Sequence, residues 1–463
     1  MLSEQKNKNQ LKPNKRRIKL LFTPFILFRS ILWITFIFIL VSCNTTEPPP
    51  PKPEKPKLIE LKEITKSCTE TFIKVTVKDT ILPASVTITR DGKEIMNYYQ
   101  TKTDTTLIDT GLAAAKTYLY KATIGNKEEE KSKELQVSTL PTTSNNFTWQ
   151  KYTFGDGGIN IFRDVAIIDE NDIWVVGQIE ITDTSANGYT NYNAVHWDGQ
   201  KWELKRIYYY GDCSAVKYPP LTAIWAFSKN NIVVSNGGSI GWFDGKTLSL
   251  DCGVNPLLNG AIKKIWGSES ADLFIVGNKG SIAHYNGISW EKIESGTDYN
   301  IKGLYGDVNP FTKEIEILCC ASGDTKDSEV MRIKNMTAEK IDKSGLEMAV
   351  GLWFKAGIRY YIVGNGLFEK TYRNNNGWNN LNINKIITSN FMNGIRGNGL
   401  NDIIVSGAFG ELLHFNGLRW KSLRNDKTIL NNGSYFEVAV KGNLVVAVGY
   451  DETGAIILVG KRN

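Results

Sequence analysis

Histidine is the side chain best suited to general-base or metal-ligand chemistry near neutral pH. This chain of 463 residues has three: His196, His284 and His414. A Ser/His/Asp or Cys/His mechanism needs one histidine beside one nucleophile, and a zinc site needs several ligands that converge. The three histidines instead share one local context. Each stands two residues before an Asn or Asp that is followed by Gly, in Asp198-Gly199, Asn286-Gly287 and Asn416-Gly417. Four residues after that Asn or Asp comes a tryptophan: Trp202, Trp290 or Trp420. A catalytic histidine occurs once per site, so three at one repeated position read as structural hydrogen-bonding residues. On this basis no catalytic residue, metal ligand or cofactor is assigned.

The carboxylates follow the same logic. Asp172, Asp272 and Asp402 repeat, with Asn231 in the same slot, and read as turn residues. Asp156, Asp298, Asp307, Asp324 and Asp327 fall in loops. Glycoside hydrolysis needs two carboxylates at a set separation, which a sequence does not give. Sialidase chemistry would add an arginine cluster; Arg163, Arg206, Arg332, Arg359, Arg373 and Arg396 exist, but no motif marks them. Asp212-Cys213 and Asp251-Cys252 follow the fourth strands of adjacent repeats, which leaves a disulfide and two free thiols both open. Cys319 and Cys320 are adjacent in a strand, where one of them is expected in the core.

The elements that carry these residues form an array. The unit at Ile265-Trp266-Gly267, Asp272 to Gly277, Gly280 to Gly287 and Trp290 recurs along the chain. First-strand anchors fall at Val165, Ile224, Ile265, Leu304, Leu352, Ile395 and Val438, spaced 59, 41, 39, 48, 43 and 43 residues apart. Four short strands per repeat of roughly 40–50 residues point to a β-propeller, here of seven blades over 146–463. The last copy lacks its Trp-containing fourth strand. Phe147-Thr148-Trp149-Gln150-Lys151-Tyr152 matches that strand, so an N-terminal strand is expected to complete the last blade and close the ring, which protects open sheet edges. Blade 1 carries two insertions, about 178–193 and 206–220. They hold Tyr189, Tyr192, Tyr208, Tyr209 and Tyr210 as candidate ligand-binding residues, because tyrosines supply rigid amphipathic contact area. The expected partner is a protein or a glycan.

Residues 57–141 contain no tryptophan and read as short alternating strands, with Asp91-Gly92 as a hairpin turn. Asp109-Thr110-Gly111-Leu112, followed by Tyr118-Leu119-Tyr120, resembles a fibronectin type III domain. That resemblance implies a small β-sandwich with a tyrosine corner, serving as a spacer or adhesion module. The fold class is therefore all-β: a small sandwich followed by the propeller. The Asn/Asp-Gly-x-x-Trp turns are similar to the Asp-box of sialidase-like propellers, where the box is structural. The longer repeat resembles Bacteroidetes-type repeat proteins, some labelled glycosyltransferases, a label no residue here supports.

Residues 1–42 carry eight basic residues and one acidic residue, which accounts for the whole formal charge of +7. The rest of the chain is neutral, which argues against nucleic-acid binding. After the basic cluster, Ile31 to Val41 has the length of a signal-peptide core and not of a membrane span. Leu40-Val41-Ser42-Cys43 resembles a bacterial lipobox. The resemblance implies that 1–42 is a lipoprotein signal peptide and that lipidated Cys43 becomes the membrane anchor. Residues 43–56 are Pro-rich and read as an extended tether. Asn44, in place of the Asp that resembles an inner-membrane retention signal, favours the outer membrane. The reading is a cell-envelope lipoprotein whose propeller face is a non-catalytic binding or scaffolding module; the alternative is a carbohydrate-active propeller enzyme of hydrolase or lyase type.

Overall fold

The structure is a computed structural model. It describes residues 58–463 apart from 79, 81, 126–131, 324–325, 373–376, 382–386 and 430–431. The expected signal peptide 1–42, the expected lipidation site Cys43 and the Pro-rich stretch 43–56 lie outside the described residues. No helix among the described residues is long and apolar enough to cross a membrane.

The first part is two antiparallel sheets face to face. One has the order β1 (Ile59–Lys66), β2 (Glu70–Val77), β5 (Asp104–Thr110). The other has the order β4 (Lys93–Gln100), β3 (Ala84–Arg90), β6 (Thr117–Ile124), β7 (Leu135–Ser138). Alternation decides what is inside: Tyr118, Tyr120, Ala122 and Ile124 of β6 all point into the core with Ile73, Val75, Val86 and Ile88. Asp91 and Gly92 adopt φ of 50° and 79°, the pair of positive angles that a two-residue hairpin needs. The backbone N–H of Ala113 donates to Tyr118 Oη at 2.8 Å and pins the crossover into β6.

β2 departs from alternation, since Phe72 and Ile73 are both buried. Ile73 faces the sandwich core, whereas Phe72 packs with Ile358 and Leu400 of the repeat region. Phe311 and Tyr372 meet the Phe72 ring edge-on at centroid distances of 5.8 and 5.2 Å. Beside this cluster Arg359 bonds Glu70 at 2.9 Å. The small domain is therefore docked on the repeats, not loosely strung from them.

Among the described residues, 147–462 form seven four-stranded antiparallel sheets. Their first strands are Ile161–Asp169, Ala223–Ser228, Ile262–Glu269, Asn300–Val308, Gly351–Lys355, Met392–Gly399 and Ser434–Lys441. Each first strand lies against the first strand of the next sheet, and that of the seventh lies against that of the first. β8 (Phe147–Phe154) is the outer strand of the seventh sheet and pairs along its whole length with Gly454–Arg462, from Phe147↔Arg462 to Phe154↔Ala455.

Both faces of a repeat sheet are covered by its neighbours, so the even-odd rule that buries one face of an open sheet does not apply. Cys319 packs with Trp266 and Ile301 on one side, and Cys320 with Leu352 and Phe354 on the other. One of the two was expected in the core; both are fully buried, and burial raises both thiols well above their ordinary value. The Asn/Asp-Gly turn between third and fourth strands is built the same way in the first, third and sixth sheets. In Asn286-Gly287, Asn286 Oδ1 accepts from the N–H groups of Ile288 and Ser289, while Gly287 supplies φ 89°. Asp198 and Asn416 make the same pair of bonds in their turns.

Candidate functional site

The first strands bring seven equivalent positions to one place. The anchors Val165, Ile224, Ile265, Leu304, Leu352, Ile395 and Val438 are all buried. Two residues before each anchor stand Arg163, Thr222, Lys263, Lys302, Val350, Asn393 and Phe436. All seven line a single cavity of about 380 Å³, together with Lys264, Phe391 and Glu437. This is the mouth of the space enclosed by the first strands. It opens at the end where one sheet connects to the next.

One residue deeper, the ring is Asp164, Ala223, Lys264, Gly303, Gly351, Gly394 and Glu437. Small residues let the strands close in: a Cβ on Gly351 would lie 2.8 Å from the carbonyl oxygen of Asn393. The three charged members compensate one another. Lys264 Nζ donates to Asp164 Oδ1 at 3.2 Å and also bonds Glu437, and Arg396 approaches Glu437 Oε1 at 3.8 Å. Two acids thus meet two bases. Burial opposes the charge on Glu437, but Arg396 and Lys264 prevail and hold its carboxyl below the ordinary value. For Asp164 burial dominates the attraction of Lys264, and its carboxyl is raised.

The mouth ring is different. Arg163, Lys263 and Lys302 have no ion pair or hydrogen-bonded partner among the described residues. Lys263 is half-buried, and burial, then Arg163, then Lys302 lower its pKa from the ordinary lysine value. Burial likewise lowers Arg163. Phe391 and Phe436 add two aromatic rings to the lining, and Phe436 is stacked on Tyr450 at 5.5 Å. Sequence reading passed over this set. Its signal was present, because the three cations share one offset from the repeat anchors, but an offset becomes a place only once the strands are known to converge.

Neither insertion of the first repeat lines this cavity. The segment 178–193 is not a loop: it extends a hairpin, with strands Asp172–Thr182 and Tyr189–Trp197 joined by a short turn. Tyr189 and Tyr192 are half-buried strand residues, and Tyr192 packs against the cluster between the seventh and first sheets. Segment 206–220 is pinned by Asn193, whose amide donates to the carbonyls of Ile207 (2.9 Å) and Pro219 (3.1 Å) and accepts from Ile207 N–H. Tyr209 is fully buried and its hydroxyl donates to Val234 O at 2.9 Å, so it anchors the insertion and offers no surface. Tyr208 and Tyr210 are 50% and 54% exposed. Tyr210 has Lys217 near its ring at 5.9 Å. Cys213 and Cys252 are joined by a disulfide with Cα atoms 5.5 Å apart, which ties this insertion to the end of the second sheet.

The repeated histidines each meet the repeated aspartate of the neighbouring strand: His196 with Asp172 at 2.9 Å, His284 with Asp272 at 2.7 Å, His414 with Asp402 at 3.1 Å. His196 and His284 also stack on Trp174 and Phe274, both at 4.2 Å. The tryptophans fill spaces beside the sheets. Trp290 Nε1 donates to Asp251 at 2.8 Å, and Trp420 packs on Tyr361 and Phe415. Trp202 differs: its Nε1 has no partner among the described residues. It lines, with Trp197 and Tyr152, a groove of about 700 Å³ between the seventh and first sheets at the end away from the mouth. No group of His, Cys, Asp and Glu among the described residues is arranged to hold a metal ion.

No protein-family model matches the chain, and no curated protein sequence matches it. Among solved structures it is similar to YCF48 bound to D1 peptide, at 14% identity and a TM-score of 0.51, over 70% of this chain and 97% of that one. It is also similar to YCF48 from Cyanidioschyzon merolae, at 13% and 0.48 over 67% and 98%. The WD40 propeller domain of Doa1 follows at 12% and 0.45 over 68% and 97%. At these identities a likeness carries the fold alone, and with the converging four-stranded sheets it makes the repeat region a β-propeller.

Proposed function

We propose that this protein is an envelope lipoprotein whose propeller binds a partner at the channel mouth without catalysis. In this reading residues 1–42 export the chain, Cys43 carries lipid, and 43–56 is a tether. Residues 57–141 are a fibronectin type III-like module, and 146–463 a seven-bladed propeller closed by β8. The order β1-β2-β5 over β4-β3-β6-β7 and the Tyr118 hydrogen bond support the module. The seven meandering sheets and the pairing of β8 with Gly454–Arg462 support the closed ring.

One observation carries the binding reading. The small domain occupies the turns at one end of the propeller, around Ile358, Leu400 and Gly417, where a Cβ on Gly417 would meet Cys68. The other end keeps its mouth open, with unpaired cations and the inserted segments of the first repeat around it. Loops and clefts on a rigid frame are where binding concentrates. That the YCF48 structure holds a peptide is consistent with a propeller used this way. A photo-reactive residue at Thr222 should capture a partner in intact cells, and one at Thr312 on the docked end should not; equal capture at both would defeat the reading. Replacing Cys43 with Ser should abolish incorporation of an alkyne fatty acid and release the chain from membranes.

A glycan is the second reading, favoured by the groove with Trp197, Trp202 and Tyr152. Aromatic faces flanked there by the amides of Gln150, Asn171 and Asn443 suit a sugar ring. Loss of glycan-array signal on Trp202→Ala, with mouth variants unaffected, would move the site there.

A further inference from the structure

The mouth has a chemistry of its own, and the inference drawn from it rests on the mouth being the binding face. Arg163, Lys263 and Lys302 come from the first, third and fourth sheets and gather three positive charges in one concavity. The acids that could neutralise them are already used. Glu437 lines the same cavity and Asp164 lies just beneath, yet both are engaged by Lys264, and Glu437 by Arg396 as well. Like charges held close in a partly desolvated cleft repel one another, and clefts of one sign focus a field outward. The fold accepts this repulsion at the ring that forms the mouth. The lowered pKa of Lys263 is consistent with it.

The rest of the lining narrows the ligand. The donors of the neutral polar groups are engaged: Thr222 Oγ1 donates to Ile262 O at 3.1 Å, and Asn393 Nδ2 donates to Ser434 and Tyr435. What remains is cationic donors from the first, third and fourth sheets and the Phe391 and Phe436 rings, Phe436 on the strand beside that of Arg163. A hydroxyl-rich neutral sugar needs acceptors as well as donors, and this surface offers few. A nucleic acid needs an extended basic track, and this cavity is compact. Carboxylates next to an apolar side chain satisfy the cations and the rings at once.

We propose that the channel mouth receives an acidic segment of a partner polypeptide, its carboxylates among Arg163, Lys263 and Lys302 and an apolar side chain against Phe391 and Phe436. The test uses the full chain and an array of octapeptides whose glutamate content rises from none to four, with leucine or serine at the other positions. Capture should rise with glutamate, and leucine-containing peptides should exceed serine-containing ones. The variant R163Q/K263Q/K302Q should lose binding about tenfold or more, and 0.5 M salt should weaken the wild type similarly, as expected for screened ion pairing. In the unmodified protein the best peptide should protect Lys263 from acetylation, a readout that does not depend on any variant folding. Capture that ignores glutamate content, or that survives the triple substitution, overturns the proposal. Binding of polygalacturonate without the peptides also overturns it, while leaving the mouth as the binding face. Failure of the Thr222 photo-adduct removes the face itself.

Discussion

Lys263 and Lys264 are neighbours in the chain and live in opposite electrostatic settings. Lys264 points inward and is enclosed by Asp164 and Glu437. Lys263 points to the mouth, and the charged groups that act on it are Arg163 and Lys302. A break in the strand register makes this possible: Ile262 pairs with Gly277 and Lys264 with Val276, so Lys263 is the extra residue of a β-bulge and leaves the ladder. One lysine is tied into the frame that holds the strands together, and the other is held out to solvent against repulsion. The pair teaches how a propeller divides labour: compensated charge fills the channel, and uncompensated charge rings its opening.

The largest effect should come from breaking the compensated side. Lys264→Met leaves two buried carboxylates facing each other, and removing one partner of a buried ion pair costs about 3–5 kcal/mol. Lys263→Met removes one of three like charges and should stay within about 0.5 kcal/mol, as surface changes generally do. Urea denaturation of both variants measures the contrast directly. If the two lose equal stability, the division between frame and mouth is wrong.

The disulfide tests whether the rim matters to either lysine. Cys213–Cys252 closes a separation of 39 residues, for which chain-entropy reasoning gives stabilisation of up to about 4 kcal/mol. Replacing both cysteines with Ser should lower the denaturation midpoint and make 206–220 the first site of proteolysis. It should leave Lys263 reactivity unchanged, since neither cysteine lines the mouth. A changed Lys263 would mean that the insertion shapes the cavity.

Paired charges elsewhere predict the acid limb of stability. Burial opposes ionisation of Asp402, but hydrogen bonds from His414, Arg462 and Asn398 hold its carboxyl below the ordinary value. Below that ordinary value the unfolded chain binds a proton that the native state refuses. Stability is therefore fully present above about pH 4 and lost as pH falls toward the native pKa. Asp402→Asn should flatten that loss, read as urea midpoints between pH 3 and 5. It should also lower stability at neutral pH, where Arg462 loses its partner.

Much of this architecture was legible because repetition multiplies weak signals. One Asn-Gly followed by Trp means little, but Asp198-Gly199, Asn286-Gly287 and Asn416-Gly417 at one offset from three histidines mark a strand turn, and each of those histidines meets an aspartate of the neighbouring strand. The mouth was less legible. Arg163, Lys263 and Lys302 are spread over 140 residues of chain and only adjoin when the first strands converge. Tyrosine content drew attention to the insertions instead, yet Tyr209 proved to be an internal anchor whose burial no local pattern announces. The docking of the small domain was hidden for a related reason. Phe72 breaks alternation, and a second buried face on β2 has meaning only when something is found to cover it.

The finest version of the comparison is the titration of Lys263 itself. Its native pKa lies below the ordinary lysine value because burial and two neighbouring cations disfavour the charged form. As pH rises through that range, the native state gives up a proton that the unfolded chain still holds. Stability contributed by this group therefore increases with pH, opposite to a lysine held by a carboxylate. Reductive ¹³C-methylation followed by NMR should show one lysine titrating earlier than the rest. Lys302→Gln should move that resonance back toward the others, because one repelling charge is gone. A bound acidic peptide should move it further, because attraction replaces repulsion, and binding should weaken in the alkaline range before bulk lysines titrate. A Lys263 that titrates with the bulk, unmoved by Lys302→Gln, would show the three cations too far apart to act as one site.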